Sequence, residues 1–244
     1  MALALITGAT GGIGRAISAA LAADGFDLLL TSTSHKSLKE LAENLQKQFP
    51  DGTFDYKEGD LSKQTFIEKL FKDYLSGKNL TAVVNNAGVS LGTDIFETSL
   101  EDWNLSMAVN LTAPFLIIKH SLPIIKRSGG GAIVNIGSLA AVQGAKKPGY
   151  AASKSGLVGL TKSAALTAGK DNIRVNAIIP GAVDTELISD WDKEKRAAVS
   201  GQSPLKRIAR AEEIASVVSY LLSEKSAFIT GATINATGGT FLGG

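Results

Sequence analysis

The 244-residue chain contains no cysteine, which excludes disulfides, thiolate metal sites and a cysteine nucleophile. Histidine is almost as scarce: His35 and His120 are the only two, too few for a histidine-rich metal centre. An excess of either charge is also missing. Lys+Arg 25 against Asp+Glu 23 leaves a formal charge of +2, too small to indicate a nucleic-acid or membrane partner. No apolar run reads as long enough to cross a bilayer. The apolar start Met1–Ile6 is too short for a signal peptide and lacks its basic flank, so the expected location is the cytoplasm. Internal repeats, low-complexity tracts and linkers are absent too, and residues 1–244 are therefore expected to form one domain.

What is present is the composition of a globular protein with a sizeable core: 44% apolar and 20% charged residues. Short runs rich in Leu, Ile and Val recur at Leu3–Thr7, Asp27–Thr31, Thr53–Glu58, Ala82–Asn85, Gly131–Ile136, Arg174–Ile179 and Thr233–Asn235. Runs as continuous as AIVNI at 132–136 suit strands buried on both faces of a parallel sheet. Between them lie helical patterns at Arg15–Ala23, Lys36–Phe49, Lys63–Leu75, Trp103–Lys126, Gly149–Gly169 and Ala211–Leu222, with Gly25 and Gly169 as expected C-terminal stops. This alternation predicts an α/β class: a doubly wound Rossmann fold, with a central seven-stranded parallel sheet and helices on both faces. Residues 182–210 break the rhythm with mixed polarity, Trp191, a charged cluster and Pro204. They read either as a solvated helix and loop or as a lid over a substrate.

The first strand runs into Thr7-Gly8-Ala9-Thr10-Gly11-Gly12-Ile13-Gly14 and then a helix. Glycine permits a tight turn and close backbone approach, so the N–H groups of the helix N-terminus can face a pyrophosphate. The context of strand, glycine turn and helix makes this a dinucleotide site rather than merely a turn. NAD binders place an acid about 20 residues further on to hold the ribose 2′-hydroxyl. Here no acid occurs between Asp27 and Glu40. Hydroxyls and a cation suit a 2′-phosphate, so NADP(H) is favoured over NAD(H), with Ser32, Thr33 and Lys36 as contacts.

Tyr150 and Lys154 stand four apart at the start of a helix, hence on one face. A free phenol with a pKa of about 10 exchanges protons poorly near neutrality, and a neighbouring ammonium is expected to lower that value. Ser138 follows the strand ending at Ile136, where its hydroxyl could steady charge developing on a carbonyl oxygen. His120, inside an apolar helix, reads as a packed residue, and His35 as an exposed one near the 2′-phosphate site.

Together these residues resemble the short-chain dehydrogenase/reductase family, over nearly the whole chain, and within it the 3-oxoacyl-[acyl-carrier-protein] reductases. The glycine motif stands at Thr7–Gly14, an adenine-contact acid at Asp60 followed by Leu61, the NNAG motif at Asn85–Gly88, and the catalytic Asn at Asn110. The Ser matches Ser138, the YxxxK pair Tyr150 and Lys154, and the PG motif Pro180-Gly181. The resemblance implies that Tyr150 is the acid/base and that Lys154 binds the nicotinamide ribose. Ser138 would orient the carbonyl, and Asn110 would hold a water that links Lys154 to solvent. It further implies cofactor contacts at Gly8, Thr10, Gly12, Ile13, Gly14, Asp60, Leu61, Asn86, Ala87, Gly88, Pro180, Gly181, Val183 and Thr185. Two departures stand out: Gly11 occupies a place where many NADP-preferring relatives carry a cation, and the Ser138–Tyr150 interval is one residue shorter than is common.

The expected substrate is a carbonyl compound: a small ketone, a β-keto ester or an acyl thioester, the last with acyl carrier protein as a partner. Lys126, Arg127, Lys146 and Lys147 would then supply a basic docking surface near the cleft. Val142, Gln143, Val183, Leu187, Ile188 and Trp191 are candidates for pocket or lid. A homotetramer is implied, with the long helices and the final strand as interfaces. The competing class is an NADP-binding sensor or scaffold without turnover, which the presence of both Tyr150 and Lys154 argues against.

Overall fold

The computed structural model describes residues 2–243; Met1, Gly244 and the side chain of Leu187 lie outside the described residues. Seven strands form one parallel sheet: β1 (Leu3–Thr7), β2 (Asp27–Ser32), β3 (Phe54–Glu58), β4 (Leu80–Asn85), β5 (Gly131–Ile136), β6 (Ile173–Pro180) and β9 (Thr233–Ala236). A separate short pair, β7 (Val183–Asp184) and β8 (Ala209–Arg210), lies between β6 and β9 in sequence. The spatial order is β3-β2-β1-β4-β5-β6-β9. The direction of travel across the sheet reverses between β1 and β4, and the crevice beyond the carboxyl ends of these strands is where such sheets bind ligands.

The five inner strands carry apolar residues at successive positions because both faces are covered. Ala4, Ile6, Leu28 and Leu30 pack with α1 (Gly12–Ala23), α2 (His35–Gln48) and α9 (Ala211–Leu222). Their alternates Leu5 and Leu29, with Val83 and Ile133, pack on the other side with α3 (Gln64–Lys69), α5 (Ala113–Arg127) and α7 (Pro148–Ala168). Burying each of the Leu, Ile and Val side chains among these is worth about 1.5–3 kcal/mol, and a one-residue slip in any strand would exchange its two faces.

Two of the expected helices contain wider π turns. The Lys63–Leu75 pattern resolves into α3 and a π turn at Leu70–Leu75. The Trp103–Lys126 pattern begins earlier, as α4 (Leu100–Met107), passes through a π turn at Ala108–Thr112, and continues as α5. That continuous helix, Leu100–Arg127, is long and apolar enough by composition to span a bilayer, unlike the sequence expectation, but 56% of its apolar window is buried within the protein. It is a core helix. Gly25 stops α1 with φ +85°, as expected. Gly169 does not stop α7 in that way: its φ is −58°, the chain adds a 3-10 turn, and Asn172 takes the left-handed conformation instead, at φ 57°.

Residues 182–210 hold β7, a 3-10 turn at Glu186–Ile188, α8 (Lys193–Gln202) and β8. No residue of α8 is buried. Between β5 and α7 lies the short helix α6 (Ala140–Gln143), followed by Gly144 at φ +79°.

Candidate active site

The glycine turn closes on itself and on the end of β4. Gly8 has φ +61°, and a Cβ there would stand 2.8 Å from the Ala87 Cα; a side chain is excluded by conformation and by space. A Cβ on Gly14 would collide with the Gly8 carbonyl. On Gly12 it would meet Thr185 Cγ2 at 2.5 Å and approach Glu186 Oε2 at 3.0 Å, so the start of α1 packs directly against the residues that follow β7. Gly11 is the N-cap of α1 and supplies no side-chain hydrogen bond, which leaves the helix's first N–H groups to an anion. Asn86 pins the turn by donating from Nδ2 to the carbonyls of Thr7 at 3.0 Å and Gly8 at 2.9 Å. Thr7 Oγ1 accepts the N–H groups of Asn86 and Ala87, both at 3.1 Å, a role the sequence reading missed.

One arm of the crevice is a cavity of about 350 Å³ lined by Gly8, Ser32, Thr33, Asp60, Leu61, Ala87 and Gly88 among others. Thr10 Oγ1 and Ser32 Oγ share a hydrogen bond of 2.6 Å at its rim. Asp60 is held by the N–H and hydroxyl of Ser62, both at 2.8 Å. Lys36 is exposed in the first turn of α2 and does not line this cavity. The sequence also hid an acid here. The β2–β3 register sets Glu58 beside Ser32, and its carboxylate lies 3.7 Å from His35 Nδ1.

The other arm, about 280 Å³, gathers Ile13, Asn86, Gly88, Ser138, Tyr150, Lys154, Pro180, Gly181, Val183 and Thr185. The Ser138 hydroxyl sits close enough to the Tyr150 phenol to act on it as a hydrogen-bonding partner. Burial raises the Tyr150 pKa, and the Ser138 bond works against that rise. The direction is opposite to the expected one because burial outweighs the other influences on the phenol; Lys154 Nζ donates to the Ile136 carbonyl at 2.7 Å. Burial also lowers the Lys154 pKa, to about 8. Asn110, carried by the π turn that follows α4, is fully buried. Its Nδ2 donates to the Val89 carbonyl at 2.9 Å and to Ser153 Oγ at 3.0 Å, while its Oδ1 accepts the Val89 N–H at 2.8 Å. A π turn at a functional position is a common device. The open side of Gly88 faces both Asn110 Oδ1 and Lys154 Nζ, each 3.3 Å from where a Cβ would sit.

Of the pocket candidates, Val183, Ile188 and Trp191 line this arm, but Val142 and Gln143 are exposed on α6 and do not. Gln143 instead donates to the Thr240 carbonyl at 3.3 Å. A second cavity of about 380 Å³ shares Ser138, Pro180, Gly181, Ala182 and Trp191, then extends along α8 to Val199, Leu205 and Ile214. The expected basic surface is dispersed. Lys126 and Arg127 end α5, which leads into the start of β5, so they sit at the edge of the sheet opposite the crevice, and Lys126 pairs with Asp171 at 2.8 Å. Lys147 spends its ammonium on the Ser90 carbonyl at 2.8 Å. His120 stacks on Phe71 with ring centroids 5.5 Å apart, as a packed residue should.

A glycine cradle at a helix N-terminus, opening into a cavity with a buried lysine and a tyrosine–serine pair, fits a dinucleotide and defines a Rossmann-type oxidoreductase site. A family model described as "Enoyl-(Acyl carrier protein) reductase" matches residues 8–240. The chain is 35% identical over 241 residues to the 3-oxoacyl-[acyl-carrier-protein] reductase FabG of Aquifex aeolicus, covering 98% of this chain and 97% of that one. It is 33% identical over 250 residues to the (3R)-3-hydroxyacyl-CoA dehydrogenase of Mus musculus, covering 99% and 96%. The L-sorbose reductase of Gluconobacter frateurii, complexed with NADPH and L-sorbose, superposes with a TM-score of 0.91 at 29% identity, over 98% of this chain and 96% of that chain. The chain belongs to the short-chain dehydrogenase/reductase family and is an oxidoreductase acting on CH–OH/C=O groups.

Proposed function

We propose that this protein is an NADP(H)-dependent reductase of 3-oxoacyl thioesters or related small ketones, working as one catalytic domain. The observation that carries the reading is the meeting of Ser138, Tyr150 and Lys154 in one arm of a crevice whose other arm ends at hydroxyls. The relatives named above act on acyl thioesters or bind NADPH. Gly8, Thr10, Gly12, Ile13 and Gly14 would hold the pyrophosphate end of the cofactor. Ser32 and Thr33 would take the 2′-phosphate, with Lys36 reaching in from α2, and Asp60 and Leu61 would take the adenine. Asn86, Ala87, Gly88, Pro180, Gly181, Val183 and Thr185 would hold the nicotinamide half. The cofactor, when bound, supplies or removes the hydride.

The chain's own residues handle the oxygen. Ser138 donates a hydrogen bond to the carbonyl and Tyr150 delivers its phenolic proton to that oxygen as negative charge develops there. Lys154 holds the ribose hydroxyls, and Asn110 orders the path by which Tyr150 regains its proton from solvent. The part of the substrate beyond the carbonyl runs toward Trp191 and the second cavity, whose Val199, Leu205 and Ile214 suit an apolar chain, with residues 182–210 as its lid. Acyl carrier protein is a partner on this reading.

The test follows nicotinamide absorbance while NADPH or NADH is mixed with short- and medium-chain 3-oxoacyl thioesters and simple ketones. Oxidation of NADPH in strong preference to NADH, fastest on the thioesters, is expected. Turnover of ketones alone would replace the acyl reading by a general carbonyl reductase, and a preference for NADH would overturn the 2′-phosphate site.

A homotetramer is proposed on the same grounds. Phe96, Leu100 and Phe115 project from the region of α4 and α5, and Leu166 and Phe228 from α7 and the approach to β9, all strongly exposed for their type. Light scattering is expected to give the tetramer mass; a monomer at assay concentration would remove the proposal.

A further inference from the structure

A closed hydrogen-bonded circuit runs behind one side of the arm of the crevice that holds Tyr150, touching it at Val89, Ser90 and Tyr150. Lys147 is the N-cap of α7, and its Nζ donates to the Ser90 carbonyl at 2.8 Å. Ser90 and its neighbour Val89 line the cavity. Val89 is gripped on both its N–H and its carbonyl by Asn110, at 2.8 and 2.9 Å. Asn110 donates to Ser153 Oγ at 3.0 Å, and Ser153 donates to the Tyr150 carbonyl at 2.9 Å. The path returns to Lys147 through the first turn of α7, where the Ala151 N–H donates to the Lys147 carbonyl at 3.1 Å.

Lysine is a poor residue for this place by any local criterion. N-caps favour Ser, Thr, Asp and Asn, a cation at a helix N-terminus opposes the helix dipole, and the Lys147 side chain makes no capping bond. Its long stem instead reaches the neutral carbonyl of Ser90, a residue that lines the cavity, although ordering such a side chain gives up rotamer freedom. Helix stability does not account for it; joining the two walls does.

We propose that Lys147 is a positioning residue for carbonyl reduction: it ties the 86–90 loop to the turn that carries Tyr150, so that the phenol meets the substrate oxygen at a fixed separation. The inference rests on the reductase reading above. It is tested in the full chain with Lys147→Met, Lys147→Arg, Ser153→Ala and the Lys147→Met/Ser153→Ala double variant, with Lys146→Met as the control on its exposed neighbour.

Because small misplacements in the reacting geometry are costly, Lys147→Met is expected to lower kcat about tenfold. The carbonyl KM and the position of the pH profile should not move, and Lys147→Arg should restore most of the loss. The double variant should lose little beyond the worse single variant, since the circuit is already open. Amide hydrogen exchange in residues 86–90 should quicken in Lys147→Met and not in Lys146→Met, a reading independent of turnover. Unchanged exchange in Lys147→Met overturns the inference, as does an unchanged kcat, a loss that arginine does not rescue, or losses that multiply in the double variant. A wild type that reduces no carbonyl compound defeats the reductase reading, while the exchange result still decides whether the circuit exists.

Discussion

Replacing Tyr150 by phenylalanine is expected to lower kcat for carbonyl reduction by roughly 10³-fold while leaving cofactor binding nearly intact, the scale set by losing a positioned general acid. The substitution keeps the ring that fills this largely enclosed position and removes only the hydroxyl. The fold is therefore retained, and the cost falls on the step in which the phenol gives up its proton. Burial raises the Tyr150 pKa, so the group stays protonated at neutral pH. That suits the donor required for reduction. The reverse reaction needs the phenolate, and alcohol oxidation should accelerate as pH rises into the alkaline range, within the limit set by Lys154. Steady-state kinetics in both directions and a fluorescence titration with NADPH check this. Retention of wild-type turnover by the phenylalanine variant would remove Tyr150 from the chemistry. A wild type that binds NADPH but turns over nothing in a broad panel would restore the sensor reading.

How much of this was legible beforehand follows from what each signal depends on. The five inner strands were readable because both faces are covered, which makes their apolar runs continuous and distinct from the helical spacing, whereas the edge strands β3 and β9 are only partly buried. The chemistry-bearing residues were readable because the turn after β1, the end of β5 and the first turn of α7 each place their side chains by local geometry alone. What depends on long-range register was not. Glu58 reaches the rim near Ser32 only because β3 pairs with β2, and Thr7 becomes an acceptor only because the end of β4 lies beside it. Lys126 and Arg127 seemed close to the cleft because they precede β5, yet a helix that feeds the start of a parallel strand ends on the edge away from the strand's carboxyl end. The direction of the Tyr150 shift follows from burial, which is not visible in the four-residue spacing of the pair.

Lys154 makes the opposite bargain from the core around it, and its removal should show this. Replacing it by methionine is expected to abolish useful turnover and, at neutral pH, to raise thermal stability. The ammonium is buried, with the Ile136 carbonyl as its one acceptor among the described residues, and its pKa falls from 10.5 to about 8. A fall of that size corresponds to a cost of about 3 kcal/mol for keeping the charge in the folded state. Methionine matches the stem without the charge but forfeits the bond to Ile136, worth about 1 kcal/mol. The net gain is thus of order 1–2 kcal/mol, or a few degrees in Tm for a chain of this length. The pH dependence has a definite sign. Between about 8 and 10.5 the unfolded chain binds a proton that the folded chain does not, so wild-type stability gains from this group as pH rises through that window. The contribution is complete above the unfolded value and is lost as pH falls toward about 8. The gap between variant and wild type should accordingly narrow from neutral to alkaline pH in paired thermal melts. A variant less stable than wild type at neutral pH, or a gap that ignores pH, would show that the lysine is solvated in solution. Its hold on the ribose would then carry no conformational cost. If the gap behaves as expected, this part of the crevice is stabilised less by its own residues than by the ligand it was shaped to hold, and NADPH should stabilise the wild type more than the variant.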